Sequence, residues 1–110
     1  MDFIEINKRI NALIMSGLVN PHIGIVRPAV PVTIESVNNH ALRHGVTLEQ
    51  AQNYVNSAKI MFGQGNRNMY LSDDGSATVL VEGKRLISAY SRENFDLSIT
   101  AILEVLDYER

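Results

Sequence analysis

Apolar residues recur at helical spacing from the start of the chain. Phe3, Ile6, Ile10, Leu13 and Ile14 are separated by three, four, three and one positions. That spacing gathers them on one side of a helix. Glu5, Lys8, Arg9 and Asn11 take the other side, and Gly17 is placed to end the helix. The period then breaks. Pro21, Pro28 and Pro31 are interleaved with Ile23, Ile25, Val26, Val30 and Val32. Proline removes a backbone donor and disfavours helix at the residue before it. Residues 18–32 are therefore expected to form an extended connector lying on the core, with room for one short edge strand.

A second helical stripe, Ile34, Val37, Ala41 and Leu42, predicts a helix from Ile34 to His44 that stops at Gly45. Thr47-Leu48-Glu49-Gln50 has the form of a capping box. The helix it opens would bury Leu48, Ala51, Tyr54, Val55 and Ala58. After Lys59 the period changes to two. Ile60–Phe62 reads as a short strand, Gly63–Asn66 as a turn and Arg67–Ser72 as a strand. Asp73-Asp74-Gly75 reads as a tight turn, Ser76–Glu82 as a strand, Gly83-Lys84 as a two-residue turn and Arg85–Ser91 as a strand. Asp96 is placed to cap a last amphipathic helix bearing Leu97, Ala101, Leu103 and Leu106, with a frayed end at Asp107–Arg110.

This order predicts one α+β domain over residues 1–110. It divides into an N-terminal helix (1–17), the proline-rich connector (18–32) and a core (33–110). The expected architecture is helices packed on one face of an antiparallel β-meander sheet.

Composition narrows the chemistry. The chain has 110 residues, 45% of them apolar and 20% charged, which suits a single globular domain. Cysteine is absent, which excludes a disulfide scaffold, a thiolate nucleophile and a cysteine-based zinc site. A net charge of −2 does not suit general coating of nucleic acid, though a small local RNA site remains open. No apolar run approaches ~18 residues, so no membrane span is expected. Met1–Arg9 has no apolar signal region, so a cytoplasmic location is expected.

Alternate strand residues point to opposite faces. One face of the expected meander gathers Asn68, Tyr70, Ser72, Ser88 and Tyr90. Hydroxyls and an amide can hold a phosphate, and a tyrosine can stack a base. Outward polar residues are also what any half-exposed sheet displays. Lys84 and Arg85, at a hairpin turn, can touch an RNA backbone or simply be solvated.

His40, Arg43 and His44 stand on the expected second helix, with the two histidines at i and i+4. A histidine pair can act as acid and base near neutral pH, and an arginine can stabilise a developing phosphorane. The bland alternative makes His44 a helix-end cap and His40 a surface residue. Zinc is disfavoured, since the glutamate of His-Glu-x-x-His and a third ligand are missing. His22 has no nameable partner and reads as structural. No metal and no cofactor are expected.

From His40 to Leu106 the chain resembles the small phage-associated nucleases of the barnase–EndoU–colicin–RelE (BECR) superfamily. The residues that carry it are His40-Ala-Leu-Arg43-His44-Gly45, Met69–Ser76, Leu86–Ser91 and the Phe95-Asp96 entry to the last helix. The resemblance implies a four-stranded sheet with helices on one side. It also implies metal-independent RNA cleavage that leaves a 2′,3′-cyclic phosphate. By resemblance, His40 or His44 would be the base or acid, and Arg43 or Lys84 would face phosphate. Tyr70, Ser72, Ser88 and Tyr90 would orient the substrate.

Three functions fit these features. The first is a small endoribonuclease, of toxin or phage type, which acts on RNA and can have a cognate inhibitor or immunity protein. It predicts loss of cleavage in His40→Ala and full activity in EDTA. The second is a non-catalytic protein-binding or immunity-like module of phage or mobile-element origin. The third is a structural α+β domain without a ligand site. The first rests on an imidazole and phenols, distant in the chain, meeting at one pocket.

Overall fold

A computed structural model describes residues 2–108. The first helix, α1 (Phe3–Met15), begins where Asp2 Oδ1 accepts from Ile4 N at 3.0 Å and Glu5 N at 3.2 Å. It ends as expected at Gly17, whose φ of 82° lets Leu18 N return to Leu13 O at 2.9 Å. A short 3₁₀ turn (Pro21–Ile23) leads into strand β1 (Ile25–Pro28), the edge strand anticipated in the connector. Strand β2 (Ser36–Val37) follows, then α2 (Leu48–Ser57). Strands β3 (Ile60–Gln64), β4 (Arg67–Leu71), β5 (Ala77–Glu82) and β6 (Arg85–Ser91) form the meander. The last helix is α3 (Leu97–Tyr108). Asp107 and Tyr108 are thus helical, while Glu109 and Arg110, also expected to fray, lie outside the described residues.

The strands make one six-stranded sheet in the order β1, β3, β4, β5, β6, β2. Every neighbour is antiparallel except β2, which runs parallel to β6. The α+β class and the meander are present, and β1 and β2 widen the sheet at its two edges.

The helices do not share one face. Met61, Tyr70, Val79 and Ala89 form a row across four strands and pack with Ala51 and Val55 of α2. The alternate residues Ile60, Phe62 and Leu71 pack with Ile6 and Ile10 of α1 and Ile102 and Leu106 of α3. Two apolar layers therefore flank the sheet, which corrects the one-faced expectation. The reason lies in the central strands: Val79 and Val81 need cover on one side while Phe62 and Leu71 need it on the other.

Residues 34–44 are not a helix. Glu35 N donates to Lys84 O and Asn38 N to Leu86 O, each at 2.8 Å, so the backbone is committed to the β6 edge. Val37, expected in a buried stripe, is exposed. From Asn39 to His44 the chain makes successive turns, with His40 at a φ of 70°. Tertiary pairing has overridden helix propensity here.

Two side-chain amides secure the proline-rich connector. Asn7 Oδ1 accepts from Val26 N, and its Nδ2 donates to Val26 O, both at 2.9 Å. Gln52 Oε1 accepts from Ile34 N at 2.8 Å, and its Nε2 donates to Val32 O at 2.9 Å. Each amide satisfies one donor and one acceptor of an extended backbone that has few ladder partners. The Thr47–Gln50 capping box is present in both directions, as expected.

Candidate functional site

The turns that replace the second expected helix run beside the β6 edge and carry Arg43 and His44. The imidazole of His44 packs on the phenol of Tyr90, with ring centroids 4.6 Å apart and planes inclined by 38°. That is a normal aromatic contact distance. Arg43 Nε donates to His44 Nε2 at 3.2 Å. One imidazole, one phenol and one guanidinium thus meet. Tyr90 is half-buried and Arg43 exposed, so solvent reaches the group.

The other candidates are dispersed. His40 is exposed in its left-handed turn, so the i, i+4 helix-face relation to His44 does not exist. Tyr70 is 1% exposed, beneath α2, and its hydroxyl donates to Val30 O at 2.5 Å. Burial pushes the Tyr70 phenol above its usual range, against the opposing pull of Arg27. Asn68 accepts from Arg27 Nη2 at 2.5 Å on that same face.

Ser72 is buried in the β4–β5 turn, where its Oγ accepts from Ala77 N at 2.9 Å and donates to Asp74 Oδ1 at 3.0 Å. Lys84 Nζ pairs with Glu35 at 3.3 Å, and Arg85 Nη2 donates to Asn38 Oδ1 at 2.5 Å. These two bind the β2 segment to β6. Ser88 shares the face of Tyr90, opposite Tyr70.

The register explains this division. Tyr70 pairs with Val79, and Val79 with Ala89. Leu80 pairs with Ser88, but Val81 pairs with Leu86, so Ile87 is the extra residue of a bulge. The bulge sends Leu86 to the α2 face and leaves Ser88 and Tyr90 on the other. The expected polar face of Asn68, Tyr70, Ser72, Ser88 and Tyr90 is therefore not one surface.

Among the described residues, two cavities stand out on the α1/α3 side. The larger, about 760 Å³, lies between the β4–β5 turn and α3. Several of the charges on its walls are held by a neighbouring charge, a hydroxyl or the backbone. Lys59 Nζ is 3.1 Å from Asp73, and Arg92 Nη2 donates to Gly75 O at 3.1 Å. The Asp74 carboxylate accepts from the Ser76 hydroxyl and amide and from Ser72. These bonds hold it below the usual carboxylate range.

The smaller cavity, about 160 Å³, has Asn20, His22 and Ile23 on one side and Phe62, Arg67, Met69 and Leu80 on the other. His22 had no sequence partner because this neighbourhood exists only once the 3₁₀ turn folds over the sheet. The available signal was an excess of apolar residues in β4 and β5, of which Met69 and Leu80 stay half-buried.

Among the described residues, no group of three or more His, Cys, Asp or Glu could hold a metal ion. No helix among them is long and apolar enough to cross a membrane. Comparison with protein-family models, curated proteins and solved structures finds no match to this chain.

Proposed function

We propose that this domain is a metal-independent endoribonuclease whose acting groups are His44, Tyr90 and Arg43. The observation that supports this function is the tilted packing of His44 against Tyr90, which unites a turn and a strand distant in the chain. In the proposed reaction, Arg43 swings from His44 Nε2 to the scissile phosphate. The freed imidazole takes the proton of the ribose 2′-hydroxyl. The 2′-oxygen bonds to phosphorus while the bond from phosphorus to the 5′-oxygen breaks. Tyr90 gives its proton to that leaving oxygen. The products are a 2′,3′-cyclic phosphate and a 5′-hydroxyl. Arg43 offsets the charge that gathers on the phosphorane. A cognate inhibitor of such an enzyme would have to cover His44 and Tyr90.

The test is cleavage of a fluorogenic RNA by the purified protein in EDTA. Wild type and His40→Ala should cleave alike. His44→Ala and Tyr90→Phe should each lose on the order of a hundredfold or more. Wild type that cuts no RNA at high enzyme concentration, or activity abolished by chelation, would refute the proposal.

A non-catalytic protein-binding module is the alternative. Its support is the exposure of Met15, Leu18 and Leu97. The bond from Asn20 N to Ser98 Oγ, at 2.8 Å, brings the end of α1 close to the start of α3. Induced expression separates the two: toxicity that disappears in His44→Ala favours the nuclease, and a harmless wild type favours the binding module.

A further inference from the structure

We infer that the 160 Å³ hollow beneath the Pro21–Ile23 turn is a nucleobase pocket, one nucleotide removed from the His44–Tyr90 pair. The inference rests on the proposed nuclease function and deepens it.

Phe62, Met69 and Leu80 are in register across three neighbouring strands, and the next residue of that row is Ser88. The pocket floor and Ser88 therefore form one continuous strip, and Tyr90 stands on the same face. Leu80 and Tyr90 are diagonal neighbours, and such pairs lie roughly 7–8 Å apart. A single ribose-phosphate unit is long enough to span that gap, passing over Ser88, whose side chain is buried. The floor is apolar and central to the sheet, yet Met69 and Leu80 are only half-buried. A flat ring laid on them would complete their burial. The hollow is smaller than the roughly 300 Å³ that drug-sized ligands need, and suits one ring system.

The rim is polar and partly cationic. His22 is an exposed ring that can stack on a base. Arg67, whose pairing with Glu82 at 3.9 Å is loose, can turn toward a phosphate.

The test needs no catalysis. Wild-type protein with labelled Met and Leu methyl groups is titrated with the four nucleoside 3′-monophosphates and, separately, with ribose 5-phosphate, and followed by NMR. The methyls of Met69 and Leu80 should shift saturably with at least one nucleotide and not with ribose 5-phosphate. His22→Ala and Arg67→Ala, both at exposed positions, should keep the fold and weaken that binding at least threefold. The pocket is refuted if no nucleotide shifts Met69, or if ribose 5-phosphate shifts it equally. RNA cleavage without base-dependent shifts would discard the pocket and leave the nuclease standing. Base-dependent shifts in a protein that cuts no RNA would discard the nuclease and leave a nucleotide-binding site.

Discussion

Tyr70 and Tyr90 stand on opposite faces of one sheet, because Tyr70 is in register with Ala89 through Val79 and Tyr90 falls one residue out of step. Their mutational effects should separate accordingly. Tyr70→Phe removes the hydroxyl bond to Val30 O and should cost about 1 kcal/mol of stability in urea unfolding. It should leave the proposed RNA cleavage unchanged. Tyr90→Phe should do the reverse. Because burial raises the folded-state pKa of Tyr70, its stabilising contribution is complete below the unfolded value of about 10. That contribution is lost as pH climbs through the folded value, and Tyr70→Phe should blunt this alkaline loss.

Asn7 closes the β1 edge by imitating a neighbouring strand toward Val26. Asn7→Ala should leave the amide and carbonyl of a buried residue without that partner, at a cost of about 2 kcal/mol. The opened edge is a template for pairing with another chain. Size-exclusion chromatography should therefore show concentration-dependent association of Asn7→Ala and a monodisperse wild type. Equal profiles would mean that α1 alone protects the edge.

Gly63 sits opposite Asn68 in the β3–β4 ladder. A methyl group there would come within 2.5 Å of Arg67 O, which is backbone and cannot turn aside. Gly63→Ala should destabilise the domain by about 1–3 kcal/mol, the range of core overpacking, as read from thermal or urea unfolding. Unchanged stability would show that the hairpin can spread without loss.

Asp74 organises the β4–β5 turn through Ser72 and Ser76. Its folded pKa is depressed, so the stability it adds is present above the unfolded carboxylate value of about 4 and lost as pH falls through the folded value. Asp74→Ala should lower the unfolding midpoint at pH 7, and the gap from wild type should shrink toward pH 3. A gap of constant size would assign the effect to turn geometry and not to charge.

Much of the fold could be read from local pattern. The 3.6-residue period of Ile6 and Ile10, the Thr47–Gln50 capping box, the Asp96 cap and the Gly17 stop act over a few residues, and each is found where expected. The two-residue period of β4, β5 and β6 and the turns between them are equally local. The stripe of Ile34, Val37 and Ala41 is just as local, yet it misled. A distant strand edge claimed its backbone, and interstrand hydrogen bonds outweigh a short stripe's helix propensity.

The candidate site was legible in part for the same reason. His44, Arg43 and Tyr90 could be singled out as chemically capable residues from their side chains alone. Which phenol meets the imidazole depended on a strand register and on the bulge at Ile87, where one extra residue reverses the facing of every side chain on one side of it. Short-range patterning set the helices, strands and turns. Long-range pairing chose the faces and the neighbours, since alternation reveals that two sets of side chains diverge but not which set lies under which helix.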